Sequence, residues 1–317
     1  MNEIDITSGR MNPHIDPHLT IWGWEIPLYL FLGGVVAGIL FFSTLFYLRG
    51  RSDQYPTTVK LVPIFAGPLL VLGLFALFLD LSHKLYVWRF YTNIRWESPM
   101  SWGSWTLLVI TPLSFLWSMI WVKEIWPEFK WPFAWLDDFI NYIRKFKSHM
   151  AWALLIGAII LGMYTGILLS AFNARPFWNS AIIGPLFLTS GLSTGAALIL
   201  LLSKSEEEKK IISRIDITLI GLELFLIIHL FMGFLASTQV HIEAAGLFLG
   251  GNYTAPFWVL VVGLGLVVPL LIETLELKGF HVSARIPALL VLIGGLILRF
   301  IVVDAGQTSR WLYKFME

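Results

Sequence analysis

Long apolar stretches separated by short polar connections dominate this chain. Each stretch approaches or exceeds the roughly 20 residues that a helix needs to cross a bilayer. We therefore predict an all-α integral membrane protein with eight transmembrane helices, whose bounds this pattern gives to within a few residues. The predicted helices cover residues 26–48, 61–82, 102–121, 149–172, 179–202, 213–237, 255–277 and 285–303.

The first apolar stretch begins with aromatic residues and an acid, and continues with glycines on one helical face. Small residues at such spacing let another helix approach closely. The combination fits a lined pocket, but an aromatic belt with an interfacial acid explains it as well, and on this stretch alone we favour the belt. The residues concerned are Trp22, Trp24, Glu25, Pro27, Gly33, Gly34 and Gly38.

Composition agrees with a protein that lies in lipid. Of 317 residues, 57% are hydrophobic and 14% are charged, whereas a soluble domain carries about 25% charged residues. The sequence has no Cys, which excludes thiolate-bound iron–sulfur clusters and disulfides within it. A net charge of +1 gives no reason to expect a nucleic-acid partner. The first 20 residues are polar, so we predict no cleavable signal and expect the first helix to direct insertion.

The distribution of basic residues predicts the orientation in the membrane. Eight spans put both termini on one side, here called face A, and the opposite side is face B. Of the 22 Lys and Arg residues, eight lie on face A and fourteen on face B. The positive-inside rule makes face B cytoplasmic, so both termini are predicted to be non-cytoplasmic in a multi-pass protein of the inner membrane.

A weak internal repeat suggests two halves. Gly191 and Gly195 repeat the spacing of Gly34 and Gly38 after a comparable Trp-containing approach. We predict two four-helix bundles, formed by residues 1–172 and 173–317.

The long loop 122–148, rich in Trp and basic residues, is predicted to lie in the interface of face B. The charged run 203–210 is interpreted as a solvated turn.

Ionisable side chains gather toward face A. Because charge inside a membrane is unfavourable, its position carries information. The pattern predicts a polar cavity open to face A and built from the first, second, fourth, sixth and eighth helices. The alternatives are that helix ends simply carry charge, and that Asp80 and Arg299 form a structural ion pair. On face A we place Glu25, Tyr29, Asp80, His83, Tyr164, His229, Arg299 and Asp304; Glu223 lies near the middle, and Glu273 and Glu276 are expected at the interface of face B.

Histidine placement argues against bound redox metals. A bis-histidine haem needs two imidazoles at similar depth, and only His229 lies well inside a predicted helix. We therefore expect no haem and no iron–sulfur cluster in this chain. His14 and His18 flank Asp16, but a surface or hydrogen-bonding role is favoured over a metal site, which usually shows a fuller ligand set.

Several separate segments together resemble the NrfD/PsrC family, the integral membrane subunits of polysulfide reductase-like respiratory complexes. They are WGWEIPLYLFLGGVVAG (22–38), LFLDLSHKL (77–85), SPMSWGSW (98–105), MYTGILLSAFNARPFWN (163–179) and GGLILRFIVVDAGQ (294–307). They occur in the family's order along the whole chain.

The resemblance implies a subunit that binds menaquinone or another quinone near the non-cytoplasmic face in anaerobic respiration. It implies partners there: a ferredoxin-like subunit with four [4Fe–4S] clusters and a catalytic subunit, often a molybdopterin enzyme. A dimer of such a complex is compatible with it. Tyr164 matches the tyrosine that hydrogen-bonds the quinone, and Asp80 matches an acid suited to proton transfer with His83. The entry of the first helix matches the opposite wall, and Arg299 and Gln307 match the last helical signature. The candidate quinone-binding residues are Trp22, Glu25, Tyr29, Tyr164 and Arg299.

Three points depart from this pattern, add to it or compete with it. At the positions where the polysulfide reductase subunit has an asparagine and a histidine, this chain has Ile26 and Tyr29, so Glu25 is expected to supply the polar contact. Glu223 and His229, about 9 Å apart along a helix, are candidates for a proton path, although helix–helix hydrogen bonding explains them as well. The competing functional class is a secondary transporter or a purely structural anchor.

Overall fold

The computed structural model describes residues 21–280 and 283–309. Within these ranges the protein is helical without strands, and eight helices are long and apolar enough to cross a membrane. The prediction of eight transmembrane helices is confirmed. They are α1 Glu25–Leu48, α2 Thr57–Asp80, α3 Pro99–Ile125, α4 Lys147–Ser170, α5 Ile183–Leu202, α6 Glu206–Leu235, α7 Pro256–Leu277 and α8 Arg285–Thr308.

The two largest boundary differences concern α6 and α8. α6 begins at Glu206 rather than at residue 213, because Ser205 caps it by accepting a hydrogen bond from the Glu208 N–H at 3.4 Å. Three acidic residues in the first turn also suit the positive end of the helix dipole. α8 continues to Thr308 rather than ending at 303, because polar side chains in its last turn find partners inside the protein.

The interpretation of 203–210 as a solvated turn is wrong for Ser203 and Glu208, which are both buried, and residues 206–210 belong to α6. The Glu208 side chain is fully buried. Its Oε1 accepts hydrogen bonds from the Thr58 N–H and the Thr58 hydroxyl, both at 2.7 Å, and its Oε2 accepts one from Ser203 at 2.8 Å. This carboxylate therefore ties the start of α6 to the start of α2.

A short surface helix, Ala134–Arg144, joins α3 and α4. Ile140 and Ile143 are buried against the protein, whereas Trp135, Phe139 and Tyr142 are exposed. A helix with one apolar contact face and an aromatic outer face is suited to the boundary between lipid and water, and the location of this loop at the interface stays a prediction.

Close contact between α1 and α5 lies at the centre of the molecule. α1 also packs against α2, α4 and α8, and α5 against α4, α6 and α8. A Cβ added at Gly38 would lie 2.8 Å from the Gly195 Cα, and one added at Gly191 would lie 3.0 Å from the Gly34 Cα. The two glycine pairs noticed in the sequence therefore face each other, which lets the two backbones touch.

Candidate functional site

A cavity of about 350 Å³ lies between α1, α2, α3 and α4 near face A. The connection between α2 and α3 closes one side with Val87, Phe90 and Tyr91. Most of the wall is apolar, which suits a flat, largely apolar ligand held by a few polar groups. The lining residues that carry polar atoms in their side chains are Trp22, Tyr29, Asp80, Tyr91, Ser104 and Tyr164.

The sequence predicted a cavity at this face but assigned part of its wall incorrectly. α6 and α8 contribute none of its lining residues, and α3 contributes Met100, Ser104 and Leu107. The error arose because the position of a residue along a helix gives its depth in the membrane, whereas packing decides which way it faces.

Tyr29 and Tyr164 bring two phenol groups together inside the cavity. Tyr29 projects from α1 and is 2% exposed, and Tyr164 projects from α4 and is 7% exposed. Their hydroxyl groups lie close enough to interact. Tyr29 Oη nevertheless has no hydrogen-bond partner of acceptable geometry among the described residues. A buried hydroxyl without a partner is unfavourable, so this group is suited to meeting an oxygen of a ligand.

Gly103 of α3 provides the space for the Tyr164 ring. A Cβ at this position would overlap the Cζ, Oη and Cε2 atoms of Tyr164. The ring therefore lies directly against the α3 backbone, which fixes the direction of the phenol. Gly103 belongs to the segment SPMSWGSW, but nothing in that segment indicates that a tyrosine ring from another helix packs against this glycine.

Trp22 forms the outer wall of the cavity and is held by the second half of the protein. Its ring packs against Phe172, with centroids 5.2 Å apart, and against Trp178 at 5.1 Å. Its backbone N–H donates to Gln307 Oε1 at 2.8 Å, and Gln307 Nε2 donates to its carbonyl at 3.0 Å. The last turn of α8 thus positions a residue that lines the cavity.

Asp80 reaches the same cavity at the end of α2. Glu25 is its electrostatic neighbour, although it does not itself line the cavity. His83 is exposed and lines an adjoining, more open pocket of about 520 Å³ with Arg89 and Arg95. Leu81, Phe90 and Met100 line both spaces, so the two spaces adjoin each other. Asp80 and His83 therefore lie along one path toward face A.

Arg299 lies away from this cavity. It is 1% exposed and donates to the Ser190 hydroxyl at 2.5 Å and to the Phe187 carbonyl at 3.1 Å. Its guanidinium also lies over the Phe187 ring at 4.7 Å. The suggested ion pair between Arg299 and Asp80 is not formed. Glu223 is the buried carboxylate close to Arg299.

The structure does not bring Glu223 and His229 together. Glu223 is 2% exposed and faces the interior. His229 is exposed on the outer face of α6, where Nδ1 lies 2.8 Å from the Phe225 carbonyl oxygen. Six residues along a helix correspond to about 600° of rotation at 3.6 residues per turn, which turns the two side chains to different faces.

Two further buried acids accompany Glu223. Asp216 of α6 and Glu273 of α7 are both fully buried, so the expectation that Glu273 is interfacial is wrong. The two carboxyl groups are close neighbours, and the Ser193 hydroxyl donates to Asp216 Oδ1 at 2.6 Å. Asp216 was missed because it stands near the predicted start of its helix, where an acid is ordinary.

No group of three or more potential metal ligands occurs within residues 21–280 and 283–309. His14 and His18 lie outside the described residues.

Comparison with known proteins decides the family. A sequence model described as "Polysulphide reductase, NrfD" matches residues 12–309. This chain belongs to the NrfD family. It is 30% identical to protein NrfD of Escherichia coli K12 over 91% of its own length and 96% of that protein. It is also 30% identical to one of the chains of polysulfide reductase of Wolinella succinogenes, over 91% and 95% of the two sequences.

More distant NrfD-family relatives include a component of a selenate reductase. That selenate reductase subunit, from Mesobacillus selenatarsenatis, is 25% identical over 93% of this chain and 79% of the relative. The resemblance seen in the sequence is therefore confirmed. NrfD-family membership makes this protein a multi-pass membrane subunit whose relatives include named components of reductases. Four residues of this NrfD-family protein have the geometry that best fits a ligand-binding site: Tyr29, Tyr164, Asp80 and Trp22.

Proposed function

We propose that this chain is the membrane anchor and quinone-binding subunit of a respiratory oxidoreductase complex. It exchanges electrons between the membrane quinone pool and a partner iron–sulfur subunit. The observation that carries the proposal is the cavity in which Tyr29, Tyr164 and Asp80 meet between apolar walls. A quinone head group needs donors for two oxygens, an apolar slot for its ring and a nearby group that exchanges protons.

Each polar residue then has a role. Tyr164, fixed against Gly103, donates a hydrogen bond to one ring oxygen. Tyr29, whose hydroxyl lacks a partner among the described residues, or Glu25 at the rim serves the other side, and Trp22 packs against the ring. Oxidation of one quinol releases two electrons and two protons, and Asp80 accepts protons that His83 passes toward face A. Reduction of a quinone uses the same groups in reverse.

The proposal extends to partners and location. A ferredoxin-like subunit with four [4Fe–4S] clusters docks at face A, and a catalytic subunit with a molybdopterin cofactor completes the complex. Electron transfer needs a short distance, and the cavity opens toward that face beside the exposed residues Lys84, Arg89 and Arg95. Face A is then the non-cytoplasmic side of the inner membrane, and residues 1–172 and 173–317 form two four-helix bundles.

Proton transfer from the other face is part of the same proposal. A series of buried polar groups runs from Glu273 through Asp216 and Ser193 to Glu223 and Arg299. Several of their atoms lack a partner among the described residues, including both carboxylate oxygens of Glu273, so water can join them. His229 faces away and is left out. This path carries protons across the membrane in addition to the quinol protons that His83 releases at face A, so Glu223→Gln in proteoliposomes should lower the quinol-driven pH change without abolishing it, and an unchanged signal would exclude this path.

The quinone site is tested by Tyr164→Phe and Asp80→Asn in the assembled complex. We expect each to lower quinol-dependent turnover at least tenfold, since each removes a group that meets the ring oxygen or its proton, and general acid–base groups typically contribute about 10²–10⁴-fold. Tyr142→Phe and Asp138→Asn on the surface helix are matched controls and should leave turnover unchanged. Full turnover in both site variants would remove the site and favour a purely structural anchor. Quinone that co-purifies with the wild-type protein separates redox function from transport.

A further inference from the structure

Two residues that line one pocket on face B each hold a buried N–H group without an acceptor. The pocket has a volume of about 340 Å³ and lies between the end of α3 and the surface helix. Trp131 and Arg144 line it, and the buried atoms Trp131 Nε1 and Arg144 Nε find no hydrogen-bond partner among the described residues. Because buried donors without acceptors are unfavourable, this pair indicates a ligand that offers acceptor oxygens.

The acids of this pocket are already engaged by protein cations. Lys123 pairs with Asp137. Glu124 faces three cations: Lys60 at 3.2 Å, Lys147 at 3.5 Å and Arg144 at 3.9 Å. Lys60 also pairs with Asp53 at 2.9 Å, so these four cations exceed the three acids with which they pair by one charge, which favours an anionic ligand.

Arg144 is also held in a fixed orientation. Its Nη2 donates to the Ile120 carbonyl at 2.9 Å, at the end of α3. Since the guanidinium is rigid and planar, this bond fixes the direction of the Nε–H as well. The unpartnered donor is thus held in place and is not a freely moving side chain.

The position of the pocket says what kind of anion can reach it. The surface helix exposes Trp135, Phe139 and Tyr142, which are 61%, 40% and 59% exposed. Trp and Tyr are enriched at headgroup depth, where apolar rings and polar edges are both satisfied. The pocket beside this helix therefore lies at the level of lipid phosphates, and basic pockets between membrane helices bind such headgroups.

We propose that this pocket binds the phosphate of an anionic glycerophospholipid. Its phosphate oxygens accept hydrogen bonds from Trp131 Nε1 and Arg144 Nε, and its acyl chains lie along the exposed aromatic face of the surface helix. The site ties α3, the surface helix and α4 to the bilayer. It is independent of the cavity near face A and of any redox role.

The test is lipid binding by the purified full-length protein in detergent. Dioctanoyl phosphatidylglycerol is titrated, and occupancy is read by native mass spectrometry together with the thermal unfolding midpoint. Trp131→Phe keeps an aromatic ring and removes its N–H, and Arg144→Lys keeps the charge and removes Nε–H. We expect each to weaken binding about 3–10-fold, the effect of one lost hydrogen bond. Trp96→Phe, at an exposed indole on face A, and Lys145→Gln are controls and should bind as the wild type does.

Three results would overturn the proposal. Trp131→Phe changes the size of the side chain little beyond the indole edge. If this variant bound the lipid with wild-type affinity, the proposed phosphate contact would be ruled out, even if Arg144→Lys failed to fold. Equal protection by inorganic phosphate alone would make the ligand a free anion. Equal binding of dioctanoyl phosphatidylcholine would remove the preference for negative charge.

Discussion

Gln307 holds Trp22 through both ends of its side-chain amide. The Trp22 N–H donates to Oε1 at 2.8 Å, and Nε2 donates to the Trp22 carbonyl at 3.0 Å, although 285 residues separate the two. Arg175 Nη1 in turn donates to the Gln307 carbonyl at 2.8 Å. A wall of the cavity between α1 and α4 is therefore fixed by the last turn of α8, so that the second half of the protein acts on the proposed site without lining it.

This contact predicts the effect of Gln307→Glu. The change keeps the shape and Oε1 but removes the donor to the Trp22 carbonyl, and leaving that acceptor without its partner costs about 1–3 kcal/mol. We expect a lower unfolding midpoint and several-fold weaker quinone binding, because Trp22 is then held by one hydrogen bond instead of two. Binding is measured by quenching of tryptophan fluorescence. Gln239→Glu, at an exposed amide, is the control. Unchanged quinone affinity with a lower midpoint would limit Gln307 to a role in folding.

Gly103→Ala is expected to disturb the proposed site through Tyr164. A Cβ at this position would overlap the phenol ring, and overpacking of this kind costs about 1–3 kcal/mol. We expect turnover of the assembled complex to fall about as far as in Tyr164→Phe. In a Tyr164→Ala background the added methyl group meets no ring, so the two changes together should be less than additive. Strict additivity would show that Gly103 does not act through Tyr164. Gly221→Ala, which meets no neighbour, is the control.

The sequence predicted well how deep each residue lies in the membrane, but predicted poorly which neighbours its side chain faces. Apolar length placed all eight helices, and polar residues near face A included Tyr29, Asp80 and Tyr164, which do share a cavity. Arg299 stands near the same face by sequence, yet it points at Ser190 and Phe187 instead. The direction in which a side chain points depends on the helices that pack around its own helix. A nearly uniform apolar run has no periodicity that would indicate where those neighbouring helices lie.

Acids near helix ends were the second weakness. Glu208 and Glu273 each stand within a few residues of a helix end, where a solvated or interfacial carboxylate is ordinary. Both are fully buried because other helices cover those ends.

Gly38 and Gly195 could be noticed from the sequence because close helix contacts require small residues, but only packing shows that they meet each other.

Glu208→Gln should destabilise the protein without touching the proposed site. The amide replaces one carboxylate oxygen with a donor that faces the donors of Thr58 or Ser203, so a buried charge-assisted hydrogen bond is lost. We expect a loss of about 2–3 kcal/mol in the free energy of unfolding. Glu207→Gln is the matched control, since Glu207 is exposed and accepts a hydrogen bond from Gln54 at the surface. Equal stability of the two variants would contradict the buried network. Quinone affinity should be the same in both.

Gly38→Ala is expected to be the most damaging small substitution in the membrane region. The added Cβ would lie 2.8 Å from the Gly195 Cα and would also press on the Gly191 carbonyl oxygen. Both are backbone atoms that cannot move aside as a flexible group could, so α1 must separate from α5 along its length. We expect a loss of about 3 kcal/mol, at the upper end for overpacking, read as a lower unfolding midpoint and lower yield from membranes. Gly33→Ala is the matched control on the same helix, because its Cβ meets only Thr165 Cγ2 at 3.6 Å. If the two variants were equally stable, the contact between α1 and α5 would be looser than the glycine pairs indicate.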